Sequence, residues 1–515
     1  MSARVEHLVV VTKDESALEN LLKNVVEGAR NSDVQLLERI ESTFDQTIAV
    51  YLPKPFLLDS LLKPYMPQIM EELKTSLLDP SQDRSFDFLC NILYSVVRIR
   101  GKKYAGVFFS NDLSLFYPLT HVLIESTNTE SPWKVRFILF YWVSLVFLNP
   151  YQFDESESAH IELMNSLTNA AQSCIQNLDP VGEVAAHFLS ILLSRQFYPK
   201  ALMIAFLESS VETVVGELTD GKEQKAINLF LFVNEFAEYV DNDLFVDCWK
   251  YVAPVTDLLT SDSVQISFRL HILMLKLFFR ICSKCVNLSY TSNGIDAITK
   301  MYVREKDVEL MQKWRECMCN EETQDIISKA CEVLMNDCLN DSLNIQIKAI
   351  SYTAKIISIL TITERESIMS YITSILNSYL SRQDAKSMFT LLACLLREKG
   401  LTEKELNDWL KKEIEFIKDL LRNEYDKENS SVCESFCYSL WCLIHYYSPS
   451  FLRSLISFES LHLLLRITLT DEVVNTRRAA AAVVQEGIGR NVWGIEKDQF
   501  NEYVNDRNVI GLTMM

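Results

Sequence analysis

Two cysteine pairs set the first chemical question. Cys282-x-x-Cys285 has the spacing of a redox couple or of half a metal site, and Cys317-x-Cys319 could supply the other half. The spacing fits no familiar zinc module. His271 is the nearest histidine in sequence. No strand-to-helix context supports a thioredoxin-like couple. Ordinary thiols on helix faces are the preferred reading, because cysteine packs as a small apolar residue. The seven histidines are dispersed, and His187 and His271 fall inside apolar helical patterns, which suits core or groove packing. The chain has no GxxxxGK[ST] phosphate loop, no HExxH and no GxSxG. Gly487-x-Gly489 lacks the third glycine and the preceding strand of a dinucleotide site. The expectation is no catalytic residue, no cofactor and no metal.

Basic clusters are the other candidates. Arg98-Ile99-Arg100-Gly101-Lys102-Lys103 is the sharpest one on a chain whose net charge is −19. Arg98 and Arg100 in a last helical turn suit the helix dipole, and Gly101 suits a C-terminal stop. The competing reading is a local patch for an acidic partner. Arg477 and Arg478 divide in the same way, between a buried ladder and a partner contact. They enter a small-residue helix that runs to Gln485-Glu486-Gly487-Ile488-Gly489-Arg490. Small side chains let a neighbouring helix come close, and Gly487 or Gly489 is expected to take the left-handed conformation that ends it.

The elements that position these residues are helices. Gly and Pro number 12 each in 515 residues, roughly 2% apiece against typical values of about 7% and 5%. A strand-rich chain needs more turn residues than that. Apolar residues make up 48%, enough to form cores. The acidic balance disfavours nucleic acid and anionic membrane surfaces, since phosphate binding needs a basic face. The longest apolar run, Phe137 to Leu148, is too short to span a bilayer, and the N-terminal residues read as no signal peptide. Thirteen scattered cysteines suit a reducing cytosol.

Helical periodicity predicts helices over 58–77, 86–97, 133–148, 181–193, 225–239, 264–282, 326–335, 345–360, 366–380, 406–421 and 432–446. Helix pairs with turns take roughly 40–47 residues, the HEAT-type period, so about 11–12 pairs would fill residues 1–515 as one continuous α-solenoid. Loop insertions are expected near 152–158 and 284–294, and a solvated charged helix over 402–428. Phe137 to Val143 is apolar all round and needs cover on most sides. Asp341 precedes Lys348-Ala349, and Asp471 precedes Arg478-Ala479, at equal offsets; Glu130 before Trp133-Lys134-Val135-Arg136 is a looser copy. In HEAT-type units such an Asp can cap the second helix and meet a basic residue.

Four segments, in order, resemble the tubulin-folding cofactor D family. They are Pro55-Phe56-Leu57-Leu58-Asp59; Ile92-Leu93-Tyr94 running into Arg98 to Lys103; Trp133 to Arg136 continuing through Tyr141-Trp142-Val143-Ser144 to Leu148-Asn149-Pro150-Tyr151; and Arg477 to Arg490. The chain departs from the family pattern at Pro150-Tyr151-Gln152-Phe153-Asp154 and in the displacement of a tyrosine to Tyr104 by two lysines. Family members are about twice as long, so the chain reads as an N-terminal half. The resemblance implies an all-α, HEAT/armadillo-type solenoid that works as a non-catalytic cytoplasmic, cytoskeleton-associated scaffold. Its implied partners are β-tubulin after chaperonin release, cofactors C and E, and an Arf-like small GTPase. With those cofactors it would assemble or disassemble the αβ-tubulin heterodimer and stimulate GTP hydrolysis on tubulin, with no catalytic arginine of its own. The resemblance and the basic patches single out Arg98, Arg100, Lys102, Lys103, Trp133, Arg136, Arg477, Arg478, Gln485, Glu486 and Arg490 as candidate partner or motif residues. Another HEAT-type adaptor, a nuclear transport receptor or a vesicle-coat trunk, is the alternative.

Overall fold

In a computed structural model, the described residues are 2–30, 33–79, 83–129, 131–149, 158–177, 179–260, 266–287, 342–359, 382–398 and 427–495, with short pieces between 334 and 339 and at 406 and 498–500. Every regular element among them is helical. The chain divides into two compact units, Met1–Val255 and Thr256–Met515.

The first unit is two layers of helices. One layer holds α1 (Ser2–Ala29), α4 (Met66–Leu78), α7 (Phe116–Asn128), α9 (Ser158–Ile175) and α11 (Lys200–Thr219). The other holds α2 (Val34–Ala49), α5 (Asp83–Arg100), α8 (Trp133–Phe147), α10 (Pro180–Leu193) and α12 (Glu223–Tyr239). Each helix of the second layer packs on its partner in the first and on the next second-layer helix along the row. Two short helices, α3 (Asp59–Leu62) and α6 (Lys102–Ala105), sit in the connections. α13 (Asn242–Thr260) follows.

In the second unit, α14 (Phe268–Asn287), α15 (Leu343–Ile359), α16 (Arg382–Arg397), α17 (Lys427–Tyr446) and α20 (Val474–Gly489) pack in succession. Between the last two come α18 (Pro449–Leu455) and α19 (Phe458–Thr470), and α19 pairs with α20. This is the expected HEAT/armadillo-type architecture of stacked antiparallel helix pairs.

Burial explains the sequence pattern. A second-layer helix has neighbours on three sides, so α8 buries Phe137 to Val143 without a gap. α10 is buried from Val184 to Ala186 and from Phe188 to Leu193. First-layer helices face water on one side, and α4 buries a single stripe of Met66, Ile69, Met70, Leu73 and Leu77.

Several expectations need correction. The helix over 58–77 is two helices, because Pro64 lacks an amide donor and its ring clashes with the preceding turn; α3 ends with Lys63 N–H donating to Asp59 O. α14 starts at Phe268, beyond 264, and runs through 284–287, so the first residues of the expected 284–294 loop are helical. Its apolar pattern, rich in Leu and Phe, carries the helix past the polar Ser283-Lys284. The expected helices over 326–335, 366–380 and 406–421, the charged run over 402–428 and the insertion near 152–158 lie wholly or mostly outside the described residues, as do Asp341 and Glu130.

Candidate partner-binding face

The second-layer row of the first unit carries a ladder of polar and aromatic contacts. On α5, Asn91, Tyr94 and Arg98 fall one helical turn apart and share a face. Asn91 Nδ2 donates to Glu41 on α2 at 3.0 Å, and Ser95 Oγ donates to Asp45. Lys134 on α8 reaches both of those carboxylates, at 3.1 Å to Glu41 and 3.6 Å to Asp45. Trp133, the first residue of α8, stands edge-on to Tyr94 at 4.7 Å, and Phe137 meets the same ring at 5.1 Å. Trp133 keeps 36% of its surface in water. Further along the row, His187 on α10 bonds Glu235 on α12 at 2.5 Å, with Tyr239 against its ring.

The basic cluster after Tyr94 does not act as one patch. Arg98 and Arg100 occupy the last turn of α5, and Gly101 ends it at φ 92°, the left-handed stop expected of it. Arg100 turns onto Asp59, its Nη2 at 2.8 Å from Oδ2 and its Nε on Oδ1. Its guanidinium also covers the Tyr104 ring at 4.4 Å. The Arg100 hydrogen bond holds the Asp59 carboxyl below its ordinary value. Lys102 is half-buried with Nζ 5.6 Å from the centre of the Phe137 ring. Burial pushes its amine below the usual lysine value, against the pull of Glu183 and Glu235. Tyr141 Oη donates to Lys102 O at 2.5 Å and is pushed up to about 12 by burial. Arg98 and Lys103 remain exposed. Arg136 turns away from the row, its Nη1 3.8 Å from Cys174 Sγ on α9.

The second unit treats its motif differently. Arg477 Nη1 donates to Asp471 O at 2.7 Å and Glu472 O at 3.2 Å, closing the turn before its own helix. Asp471 braces the turn without capping the helix: its Oδ1 accepts from Val473 N–H at 2.8 Å and Ser430 Oγ at 3.1 Å, while α20 starts after Val473 with no side-chain cap, against the expected capping role. The basic residue of that helix that meets Asp471 is Arg477, through the Asp471 backbone carbonyl, and Arg478 is exposed. Gln485 is exposed, while Glu486 Oε1 meets His445 Nδ1 at 3.0 Å. Arg490 forks onto the last carbonyls of α17, at 2.5 Å to Ile444 O and 3.0 Å to Tyr447 O, with His445 O between. Those carbonyls have no intrahelical donor, so the guanidinium caps the neighbouring helix.

Neither Gly487 nor Gly489 takes the expected left-handed conformation; Asn491 at φ 52° and Gly494 at φ 71° do. Gly487 is needed for closeness, since a Cβ there would overlap the Trp493 ring. Trp493 Nε1 donates to Ser457 O at 3.3 Å, fixing the ring in place.

The cysteine chemistry is thinly represented. Cys282 and Cys285 lie on α14, and Cys317 and Cys319 fall outside the described residues. Among the described residues no group of His, Cys, Asp and Glu could hold a metal ion, and no helix is long and apolar enough to cross a membrane. His271 pairs with Asp337 at 2.6 Å. Sequence reasoning placed Lys134 in a motif but missed its partners Glu41 and Asp45, and it missed Glu235; these contacts span 48 to 93 residues, and no local pattern marks the three carboxylates.

Residues 48–214 match the family described as tubulin-specific chaperone D-like, ARM repeat, and residues 278–495 match its second block of ARM repeats. A Schizosaccharomyces pombe protein named tubulin-folding cofactor D is 23% identical over 188 residues, which is 36% of this chain and 16% of that relative. Among solved structures, the karyopherin Kap121p bound to Nup53p aligns over 96% of this chain and 49% of its own, at 14% identity and a TM-score of 0.40. Kap121p bound to Pho4p gives 15% identity over 96% of this chain and 48% of its own, with a TM-score of 0.41. The two karyopherin likenesses are too distant to carry a conclusion. The two blocks of ARM repeats, in order and together spanning most of the chain, are decisive: the chain belongs to the tubulin-specific chaperone D-like family.

Proposed function

We propose that the chain is a non-catalytic tubulin-folding cofactor that holds β-tubulin on the second-layer face of its first unit. The observation that carries this reading is the pair of tubulin-specific chaperone D-like matches, one over each unit. The face offers what a protein partner needs. Trp133 is half-open beside Tyr94, and Arg98 is exposed a turn further on; tryptophan, tyrosine and arginine are the residue types that dominate binding energy at interfaces. Tubulin is acidic and so is this chain, so affinity comes from such local anchors and not from long-range attraction. The wider role is assembly or disassembly of the αβ-tubulin heterodimer with cofactors C and E and an Arf-like small GTPase, in the cytoplasm and alongside the cytoskeleton. Stimulation of GTP hydrolysis on tubulin would require those cofactors, and no catalytic residue is assigned to this chain.

The test is retention of tubulin from cytosol by the immobilised chain, with all retained proteins identified. β-Tubulin is expected, and the pair Arg98→Glu with Trp133→Ala should lower its retention about tenfold. A folded chain that retains no β-tubulin, or that retains a Ran-type GTPase in its place, would overturn the reading.

A further inference from the structure

The corner joining α2 to α4 and the loop that follows α5 meet on Asp59. Its carboxylate holds Arg100, and its backbone carbonyl accepts from Tyr104 Oη at 3.4 Å and from Lys63 N–H at 3.1 Å. Four large apolar side chains stand in water on the two segments that meet there. Leu52 and Phe56, each 61% exposed, come from the corner; Val107 at 80% and Leu113 at 51% come from the loop. The fold itself is served by their neighbours. Leu58 and Leu62 are fully buried, Phe109 packs on Tyr141 and Trp142, and Trp142 Nε1 donates to Ser110 O at 2.8 Å. Single exposed apolar residues are ordinary, but several from two segments held together mark a contact surface.

Charge says what kind. Lys54, Lys63 and Lys103 are exposed here and form no ion pair among the described residues. Of the acids on these two segments, Asp59 is paired with Arg100, and Asp112, which accepts from Ser114 N–H at 2.9 Å, keeps its charge. The three lysines outnumber Asp112, a local positive excess on a chain of net charge −19. We propose that this corner docks an acidic partner segment bearing large apolar side chains, with carboxylates on Lys54, Lys63 and Lys103 and apolar groups on Leu52, Phe56, Val107 and Leu113. A second copy is a poor occupant, because a two-fold contact sets the same lysines against one another. An anionic membrane is another poor one, because it repels the chain's net charge. The proposal shares no residue with the tubulin face and stands or falls without it.

Fluorescence anisotropy with a labelled synthetic peptide of repeating Glu-Glu-Phe-Glu-Leu tests it on the full chain. Binding is expected, weakening with added salt, and lost about tenfold or more in Phe56→Ser with Val107→Ser. Lys54→Glu with Lys103→Glu should lose this peptide and gain one in which lysine replaces glutamate, a swap that no folding defect can produce. Leu469→Ser, exposed in the second unit, should change nothing. No binding of the acidic peptide, or binding indifferent to both double variants, would overturn the proposal. So would capture by phosphatidylserine vesicles in preference to the peptide, or a concentration-dependent mass increase abolished by Phe56→Ser.

Discussion

Arg98 to Lys103 in the first unit and Arg477 to Arg490 in the other unit share one sequence pattern: arginines beside glycine at a helix end. The structure puts them to different uses. In the second unit the motif is consumed mostly by packing, with Arg477 closing its turn, Arg490 capping α17 and Gly487 making room for Trp493, while Arg478 and Gln485 stay exposed. In the first unit one arginine is consumed on Asp59, while Arg98 and Lys103 stay in water beside open aromatic and apolar groups. A basic residue in a family-like motif is therefore evidence of a partner only once its intramolecular acceptors are accounted for. Substitutions at the packed positions of the second motif should cost stability; those at the free positions of the first should cost binding.

The largest stability effect belongs to Gly487. Gly487→Ala forces a methyl group into the Trp493 ring and should destabilise by about 3 kcal/mol, at the upper end of overpacking costs. Gly489 lies on the same helix with nothing within 4 Å of an added Cβ. Gly489→Ala should instead stabilise, by about 0.5–1 kcal/mol. Urea denaturation of both variants checks the pair. Equal losses would mean that helix chemistry, not the tryptophan, sets the cost, and the contrast between the two regions would weaken.

Arg490→Ala comes next. It leaves three helix-end carbonyls without their charged donor and should cost about 2 kcal/mol. Arg490→Lys should recover less than half of that, because an ammonium cannot reproduce the planar fork. Full recovery by lysine would show that charge near the α17 C-terminus, and not the fork, is what counts.

The Asp59–Arg100 pair should do less. Both side chains are partly exposed, so its contribution stays below about 1 kcal/mol. The sign follows from the lowered Asp59 value. A carboxyl whose folded pKa is depressed adds stability that is fully present above its unfolded pKa, about 3.9. That stability is lost as pH falls through the lower folded value. Asp59→Asn should therefore be less stable than the parent near neutral pH and converge on it in acid. A gap that persists at low pH would mean the aspartate serves through its shape or backbone alone.

The sequence showed what depends on nearby residues. All-round apolarity placed α8 in the covered layer, Gly101 marked the end of α5, and the scarcity of Gly and Pro pointed to an all-helical stack. It did not show what depends on distant ones. Lys134 meets Glu41 across 93 residues, and Arg490 caps a helix end 43 to 46 residues earlier. The pattern offers Gly487 or Gly489 as the stop, whereas neither is one and Gly487 serves as a gap. A tryptophan six residues on was the available clue, but only the fold turns Trp493 back onto the helix.

The smallest stability effect sharpens the comparison most. Arg98 is exposed and forms no hydrogen bond or ion pair among the described residues. Arg98→Ala should thus change stability by no more than about 0.5 kcal/mol. A packed role like that of Arg490 would cost several times that, so thermal melting of the two alanine variants side by side separates the readings. If Arg98→Ala melts with the parent yet retains less tubulin, the arginine acts outward. If it destabilises like Arg490→Ala, both motifs are structural, and the partner face must then be sought around Trp133 without it.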